Sequence, residues 1–255
     1  MDRRHFMAAA LASVAYCGCP RRASANPTGG GCSLTAGQLA KARQTMKPAS
    51  AVGLAGLEKK LLSDIVSLRA RYGLRPGATF IDDTNAPNAY AVTDVLVTSG
   101  DWGGSDGTLL LGTNLFFEQF RDSSVDILLR AQYEDHVRHQ HALNSLVIIA
   151  HEFGHILQFK NGIKPGNAWQ IEPHADFMAG WAIDKSWVSA LFGDKEKSFE
   201  NAVRLTFSLG DTLFNDPRHH GEPQFRAAMV LAGQDARDLP MQAAFEKGKK
   251  LVGLS

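Results

Sequence analysis

Residues 146–159 read Leu-Val-Ile-Ile-Ala-His-Glu-Phe-Gly-His-Ile-Leu-Gln-Phe, and this stretch decides how the chain folds around its candidate site. The apolar residues on both sides of the polar pentad predict a buried helix from about Ala142 to Lys160. Asn161-Gly162 follows, a pair typical of the C-terminal end of a helix. Such a helix needs a reason to bury two His and one Glu, because unpartnered polar groups are costly inside a protein.

The pentad itself, His151 to His155, has the spacing of a metal site. Each residue of an α-helix turns by about 100°, so two residues four apart project from nearly the same face. Two imidazoles one turn apart can bind one tetrahedral zinc ion. Glu152 follows the first of them, and a glutamate at this position serves as general base toward water activated by zinc. We therefore predict His151 and His155 as ligands of Zn²⁺ and Glu152 as the catalytic base.

The third ligand must come from farther along the chain. A metzincin would carry Gly and His at the positions of Gln158 and Asn161, so the sequence excludes that class. The next acidic residue is Glu172, which we predict as the third ligand. His174 is the alternative, because it is nearby and imidazole is a good zinc donor. Three protein ligands and one open position are typical of a catalytic zinc site.

The segment that carries Glu172 is expected to begin a second helix near Pro173. A residue that precedes proline is disfavoured in the α region, so Glu172 should lie at the N-cap, with Pro173 in the first turn. Asp176 lies four residues after Glu172, on the same helical face. We expect Asp176 to accept the Nδ1–H of a ligand histidine.

The two segments together resemble the gluzincin metallopeptidases, in particular the bacterial proteins described as putative neutral zinc metallopeptidases. The resemblance rests on His-Glu-x-x-His followed by Glu-x-x-Ala-Asp-x-x-Ala-Gly-x-x-Ala, whose positions here are His151, Glu152, His155, Glu172, Ala175, Asp176, Ala179, Gly180 and, one place early, Ala182. It implies a zincin-like fold, bound zinc and hydrolysis of peptide bonds.

A later stretch resembles the same group. Ser208 to Asp211, followed by His220-Gly221 and Arg226, looks like its Gly-Asp and His-Gly-x-x-x-x-Arg tail. The resemblance makes His220 a candidate to stabilise the oxyanion, with Tyr90 as the other candidate.

The first 25 residues are expected to be a removable export signal. Arg3 and Arg4 precede a mildly apolar stretch, and Ala23-Ser24-Ala25 offers a signal-peptidase site. The paired arginines favour the twin-arginine route, and an ordinary secretion signal is the alternative. We therefore expect a periplasmic or secreted protein.

Length, charge and cysteine content narrow the class. The 255 residues can form one catalytic domain, which we place at 51–255, after a flexible lead-in at 26–50. The net charge of +1 gives no sign of nucleic-acid binding. No apolar run reaches the roughly 18 residues of a membrane span, so stable membrane insertion is not expected after signal removal. Cys32 would be the only cysteine left, which excludes an intramolecular disulfide.

Strand patterns precede helix patterns along the chain, which predicts the α+β class with a small mixed or antiparallel sheet and a mainly helical C-terminal half. Helices are also predicted at Ala51–Tyr72, 114–120, 124–133, 200–209 and 224–231. The predicted strands are Thr79–Ile81, Ala89–Val92, Val95–Thr98 and Thr108–Leu111, with Gly100–Gly107 as a flexible hairpin loop.

These patterns predict an exported zinc metallopeptidase that acts on peptides or proteins. Two alternatives remain open at this stage. One is a zinc-stabilised binding or chaperone-like protein without turnover, against which Glu152 argues, because a structural site needs a closed fourth position and no base. The other is a zinc hydrolase of non-peptide amides, which uses the same chemistry.

Overall fold

The computed structural model describes residues 34, 36–48, 55–84, 88–116, 127–164, 168–184, 200, 203 and 223–254. Its main elements are six helices and three strands: α1 Ala36–Thr45, α2 Ala55–Tyr72, β1 Gly77–Ile81, β2 Ala89–Val92, β3 Thr108–Gly112, α3 Ile127–Lys160, α4 Ala168–Ala182, α5 Pro223–Asp235 and α6 Met241–Val252. The predicted signal segment, Cys32, His220 and most of the predicted helix 200–209 lie outside the described residues. Among the helices described, none is both long and apolar enough to cross a membrane.

The three strands form one mixed sheet in the order β1-β3-β2. β3 lies in the centre, pairs with β1 in parallel from Gly77↔Thr108, and pairs with β2 in antiparallel from Ala89↔Leu111. Every residue of β1 and β3 is buried. A small mixed sheet with mainly helical content is compatible with the predicted α+β class.

The predicted strand Val95–Thr98 does not form. The side chain of Thr108 takes the place of a strand partner: its Oγ1 accepts a hydrogen bond from Leu96 N at 2.8 Å and donates one to Asp94 O at 2.7 Å. A strand propensity is easily overridden when the backbone groups find partners elsewhere.

The segment Gly100–Gly107 is consequently not a hairpin loop, and it is anchored. The guanidinium of Arg69 donates hydrogen bonds to three backbone carbonyls, those of Pro76, Asp101 and Gly103. The carboxylate of Asp106 accepts hydrogen bonds from Arg75 N and from Lys160 Nζ. These contacts join the loop to α2 and to the end of α3.

The lead-in predicted as flexible over 26–50 contains helix α1. Ala42 of this helix is buried in a small apolar cluster with Ile81, Val92 and Leu110 of the sheet. Lys47 then forms an antiparallel bridge with Phe80 of β1. The structure thus differs from the prediction over residues 36–48, which form a helix and a bridge that pack against the sheet.

Helix α3 ends at Lys160 as predicted, but it begins at Ile127 and so includes most of the separate helix predicted at 124–133. Its C-terminal end follows the expected pattern, because Gly162 adopts a left-handed φ of 77° and Ile163 N donates to Gln158 O. The helix packs against α2, α4, β2 and β3, and its residues 143–158 are all buried.

Helix α4 corrects the prediction for Glu172. The helix begins at Ala168, and Pro173 lies inside it, so Glu172 is a helical residue and not an N-cap. Proline cannot donate a hydrogen bond to the carbonyl four residues earlier, and its ring crowds that carbonyl, which together cost about 3 kcal/mol in a helix interior. That carbonyl belongs to Trp169, whose side chain is 67 % exposed at the start of the helix. From Ile171 onward every residue of α4 is buried, because α3, α5 and α6 pack around it.

Candidate metal centre

Two imidazoles from α3 form the first part of the centre. His151 and His155 are one helical turn apart, and both are buried. Their Nε2 atoms are 2.9 Å from each other. The ring planes are nearly perpendicular, with centroids 4.6 Å apart, so both rings point their Nε2 atoms toward one position.

A carboxylate from α4 completes the group. Glu172 Oε2 lies 3.2 Å from His151 Nε2 and 3.6 Å from His155 Nε2, and Glu172 is buried. Gly154 makes this approach possible, because a Cβ atom there would lie 3.0 Å from Ala175 Cα in the facing helix. The glycine of the pentad therefore allows α3 and α4 to pack closely enough for Glu172 to reach the two histidines.

The spacing of the three donor atoms fits a metal ion. A tetrahedral zinc with bonds of about 2.0–2.1 Å would hold its ligand atoms roughly 3.3 Å from one another. The observed separations of 2.9, 3.2 and 3.6 Å lie on both sides of that value. His151, His155 and Glu172 thus form a buried group that could hold a metal ion.

His151 is oriented by a charged pair. Its Nδ1 lies 2.8 Å from Asp176 Oδ1, and Arg226 donates hydrogen bonds to both oxygens of Asp176, each at 2.8 Å. Burial opposes the charge on Asp176, but Arg226 and His151 outweigh it and lower the pKa of this carboxyl below its ordinary value. Burial also lowers the pKa of His151, yet Asp176 and Glu172 raise it overall, to about 9. The carboxylates therefore favour positive charge at this position.

His155 is oriented by a neutral amide. Its Nδ1 lies 2.8 Å from Gln158 Oε1, and Gln158 Nε2 lies 2.9 Å from His174 Nδ1. His174 Nε2 in turn lies 3.1 Å from the backbone carbonyl of Phe245 in α6. Burial lowers the pKa of His174 to about 4, so this ring is neutral near pH 7.

The tautomers of the two ligand candidates follow from these contacts. Asp176 Oδ1 accepts a hydrogen bond, so His151 Nδ1 is the donor; Gln158 Oε1 does the same for His155. In a neutral imidazole, a proton on Nδ1 leaves Nε2 with a lone pair. Two such lone pairs and a carboxylate oxygen then face each other in the core. They repel unless a proton or a metal ion lies between them. The raised pKa of His151 indicates that the group takes up a proton when no metal is present, and a bound metal ion would replace that proton.

Glu152, which the sequence predicts as the base, lies on the buried part of α3. It follows His151 on α3 and is fully buried. Phe153, the next residue, stacks on Tyr72 of α2, and Tyr72 Oη donates a hydrogen bond to Ala150 O. The helical turn that carries Glu152 is thereby held from outside the centre.

The structure separates the two candidates for third ligand. The carboxylate oxygen of Glu172 converges with the histidines, whereas both ring nitrogens of His174 are engaged by Gln158 and Phe245. Tyr90 is partly exposed and lies on β2, which pairs with β3 alone among the described strands. The oxyanion role predicted for His220 falls outside the described residues.

Three residues that matter here had no assigned role in the sequence analysis: Gly154, Gln158 and Arg226. In the sequence, Gln158 served only to exclude a metzincin. Arg226 served only as part of the His-Gly-x-x-x-x-Arg pattern. Gln158 lies three residues after His155, so it projects from the same helical face as the two histidines. This spacing is a sequence signal that could have identified Gln158. Arg226 is 50 residues from Asp176, and no local spacing predicts their contact.

Comparisons with family models, with curated proteins and with solved structures found no match to this chain. Function is therefore inferred from the residues and geometry of the centre.

Proposed function

We propose that this chain is a zinc metallopeptidase with a zincin-like fold, exported from the cytoplasm, that hydrolyses peptide bonds. The observation that carries the proposal is the convergence of His151 Nε2, His155 Nε2 and Glu172 Oε2 in the core. Glu152 adjoins this group in the sequence of α3. Two imidazoles and one carboxylate are the ligand set of catalytic zinc sites with an open fourth position.

The chemistry divides between the metal and the chain. When bound, zinc supplies a Lewis acid that lowers the pKa of water and polarises a carbonyl. Glu152 takes the proton of the attacking water and passes it to the nitrogen of the leaving amine. Asp176 holds His151 in the tautomer that binds metal. The positive guanidinium of Arg226 stabilises the negative carboxylate of Asp176 and so keeps it ionised. Burial of all these groups excludes bulk water and strengthens their electrostatic interactions.

The position of β2 supports a peptide as substrate. Among the described strands, β2 pairs with β3 alone, so it lies at an edge of the sheet, and it packs against α3. An extended peptide can add to such an edge through backbone hydrogen bonds. A substrate bound along Ala89–Val92 would then lie beside the helix that carries the ligands.

The decisive experiment compares the wild type with Glu152→Gln. Zinc content is measured by mass spectrometry of the metal, and hydrolysis by digestion of casein and of a peptide library. Glutamine has nearly the same shape as glutamate but cannot take a proton, so we expect near-stoichiometric zinc in both proteins and hydrolysis by the wild type alone. Glu246→Gln, an exposed change of the same kind on α6, serves as the matched control and should remain active.

Three other results of this experiment would each lead to a different conclusion. A wild type that carries no zinc after reconstitution contradicts the metal site. A wild type that binds zinc but cleaves neither casein nor any library peptide identifies a binding protein or a hydrolase of other amides. Equal hydrolysis by the Glu152→Gln variant removes Glu152 from the mechanism.

A second pair of variants tests the third ligand. Glu172→Ala should weaken zinc binding far more than His174→Ala, because only Glu172 contributes a converging donor atom. Affinity is measured by competition with a chromophoric chelator. The reverse order of the two variants would make His174 the ligand.

A further inference from the structure

Gln158 makes hydrogen bonds with all parts of its side-chain amide, although it is fully buried beside the centre. Its Nε2 donates to Ile171 O at 2.8 Å and lies 2.9 Å from His174 Nδ1. Its Oε1 lies 2.8 Å from His155 Nδ1. Two amide protons and one carbonyl oxygen thus meet three partners.

The contact with Ile171 determines which way the amide points. A backbone carbonyl only accepts hydrogen bonds, so the NH₂ group of Gln158 must face Ile171 O, and Oε1 must face His155. Because Oε1 only accepts, the proton of His155 must be on Nδ1. The lone pair of His155 Nε2 is therefore directed toward His151 and Glu172.

The other end of the chain of hydrogen bonds is determined in the same way. Phe245 O only accepts, so His174 Nε2 carries the proton and donates it. His174 Nδ1 is then the acceptor for Gln158 Nε2. Helix α6 comes close enough because Gly248 lies against His174: a Cβ atom at Gly248 would be 2.9 Å from His174 Cδ2. Backbone carbonyls of α4 and α6 thereby define the protonation of both imidazoles.

An apolar residue at position 158 would remove this control. His155 could then carry its proton on Nε2, where it would occupy the lone pair needed for a metal. The ring could also rotate, because no acceptor would hold its Nδ1–H. His151 would keep its own acceptor, Asp176, so the loss would fall on one ligand only.

We infer that Gln158 is a positioning residue that holds His155 in the Nδ1–H tautomer and connects the metal centre to α6 through His174 and Phe245. This inference rests on the proposed metal site. It assigns opposite tautomers to two neighbouring histidines, Nδ1–H for His155 and Nε2–H for His174.

The test uses the full mature chain and the variant Gln158→Met, which keeps the length of the side chain and removes the amide. Gln170→Met is the matched control, because the side-chain amide of Gln170 also joins α4 to the end of α6, through hydrogen bonds to Val252 O and Gly253 O. Two-bond ¹H–¹⁵N spectra of the metal-free proteins report the tautomer of each histidine. Competition with a chelator reports the affinity for zinc.

We expect the wild type and the control to show His155 as Nδ1–H and His174 as Nε2–H. In Gln158→Met, His155 should populate the Nε2–H tautomer, and zinc affinity should fall by about 10–100-fold, the usual effect of removing a partner of a ligand. Gln158→Glu retains an acceptor for His155 Nδ1–H but loses the donors to Ile171 O and His174 Nδ1, so His155 should keep its proton on Nδ1 while the connection to α6 is lost. This variant also serves if Gln158→Met does not fold.

The inference is overturned if His155 of the metal-free wild type carries its proton on Nε2. It is equally overturned if Gln158→Met leaves both the tautomer and the affinity unchanged, or if His155 in Gln158→Glu loses the proton on Nδ1 and carries it on Nε2 alone. A wild type that shows the expected tautomers but binds no zinc would contradict the proposed function and leave the role of Gln158 in orienting His155 intact.

Discussion

Removal of Arg226 tests how the core tolerates the charge of Asp176. Both side chains are fully inaccessible, and Arg226 donates through Nε and Nη2 to the two carboxylate oxygens, each at 2.8 Å. Arg226→Met keeps an unbranched apolar chain but deletes the guanidinium. The carboxylate of Asp176 then remains buried with His151 as its partner in the centre.

The expected cost follows from the geometry. With charge centres about 4 Å apart and an effective dielectric constant near 20, one such attraction is about 4 kcal/mol. Breaking a buried pair by removing one partner typically costs about 3–5 kcal/mol, since the remaining charge stays desolvated. Domains of this kind are stable by only about 5–15 kcal/mol, so Arg226→Met should remove a large part of the free energy of unfolding.

The assay is urea unfolding of the metal-free chain followed by circular dichroism. Arg43→Met is the matched control, because Arg43 forms an ion pair of similar length, 2.9 Å, with Asp94, while both side chains are about half exposed. An exposed pair contributes about 0–1 kcal/mol, so the control should unfold almost as the wild type does.

A double variant separates charge from packing. Asp176→Asn keeps an acceptor for His151 and removes the negative charge. Combined with Arg226→Met, it should be less destabilised than the sum of the two single variants, because no unpaired charge is left in the core. The reasoning is refuted if Arg226→Met costs no more than Arg43→Met, or if the two single effects simply add.

Three other predictions concern pH, packing and export. Burial raises the pKa of Asp64 to about 6, although a lysine lies nearby on α2. The wild type should therefore lose up to about 3 kcal/mol in the free energy of unfolding as pH rises from about 4 to above 6. Asp64→Asn should abolish this loss, as measured by urea unfolding at the two pH values. Gly180→Ala should disrupt the packing of α4 on α5 and lower the melting temperature, since a Cβ atom there would lie 1.9 Å from a backbone oxygen of α5. Gly37→Ala on α1 is the control: its Cβ atom would meet nothing within 4 Å, so the melting temperature should not fall. Replacement of Arg3 and Arg4 by Lys should leave uncleaved, folded precursor in the cell; unchanged processing in a blot of cell fractions would favour an ordinary secretion signal.

The sequence alone determined the helix that carries the pentad and the placement of the two histidines on it. Spacing on an α-helix is a local property, so His151 and His155 had to project from one face wherever the helix packed. The stop after Lys160 was local as well, because Asn161-Gly162 permits the left-handed turn that ends the helix. Three of the four predicted strands were found for the same reason, since each is a short buried run between turn residues.

The tertiary structure decided what these elements contact. Pro173 lies inside a helix because the packing of α4 between α3, α5 and α6 outweighs the lost hydrogen bond and the crowding by the proline ring. Val95–Thr98 is not a strand because the side chain of Thr108 binds its backbone. The lead-in contains a helix because the sheet offers apolar surface to Ala42. In each case a contact distant in sequence overrode a local preference. That preference is worth about 3 kcal/mol for a proline inside a helix and about 1 kcal/mol or less per residue for the strand and the lead-in.

The same division applies to the centre. Residue type and spacing made Glu172 a candidate, but only the close approach of α3 and α4 at Gly154 brings its carboxylate to the histidines. Asp176, which orients His151, is 25 residues away from it in the sequence. Arg226, which binds Asp176, is a further 50 residues along the chain. Hydrogen bonds at such separations depend on how helices pack, and packing is a property of the whole fold. Local sequence therefore specified the donor atoms, and the tertiary structure alone specified their orientation and charge.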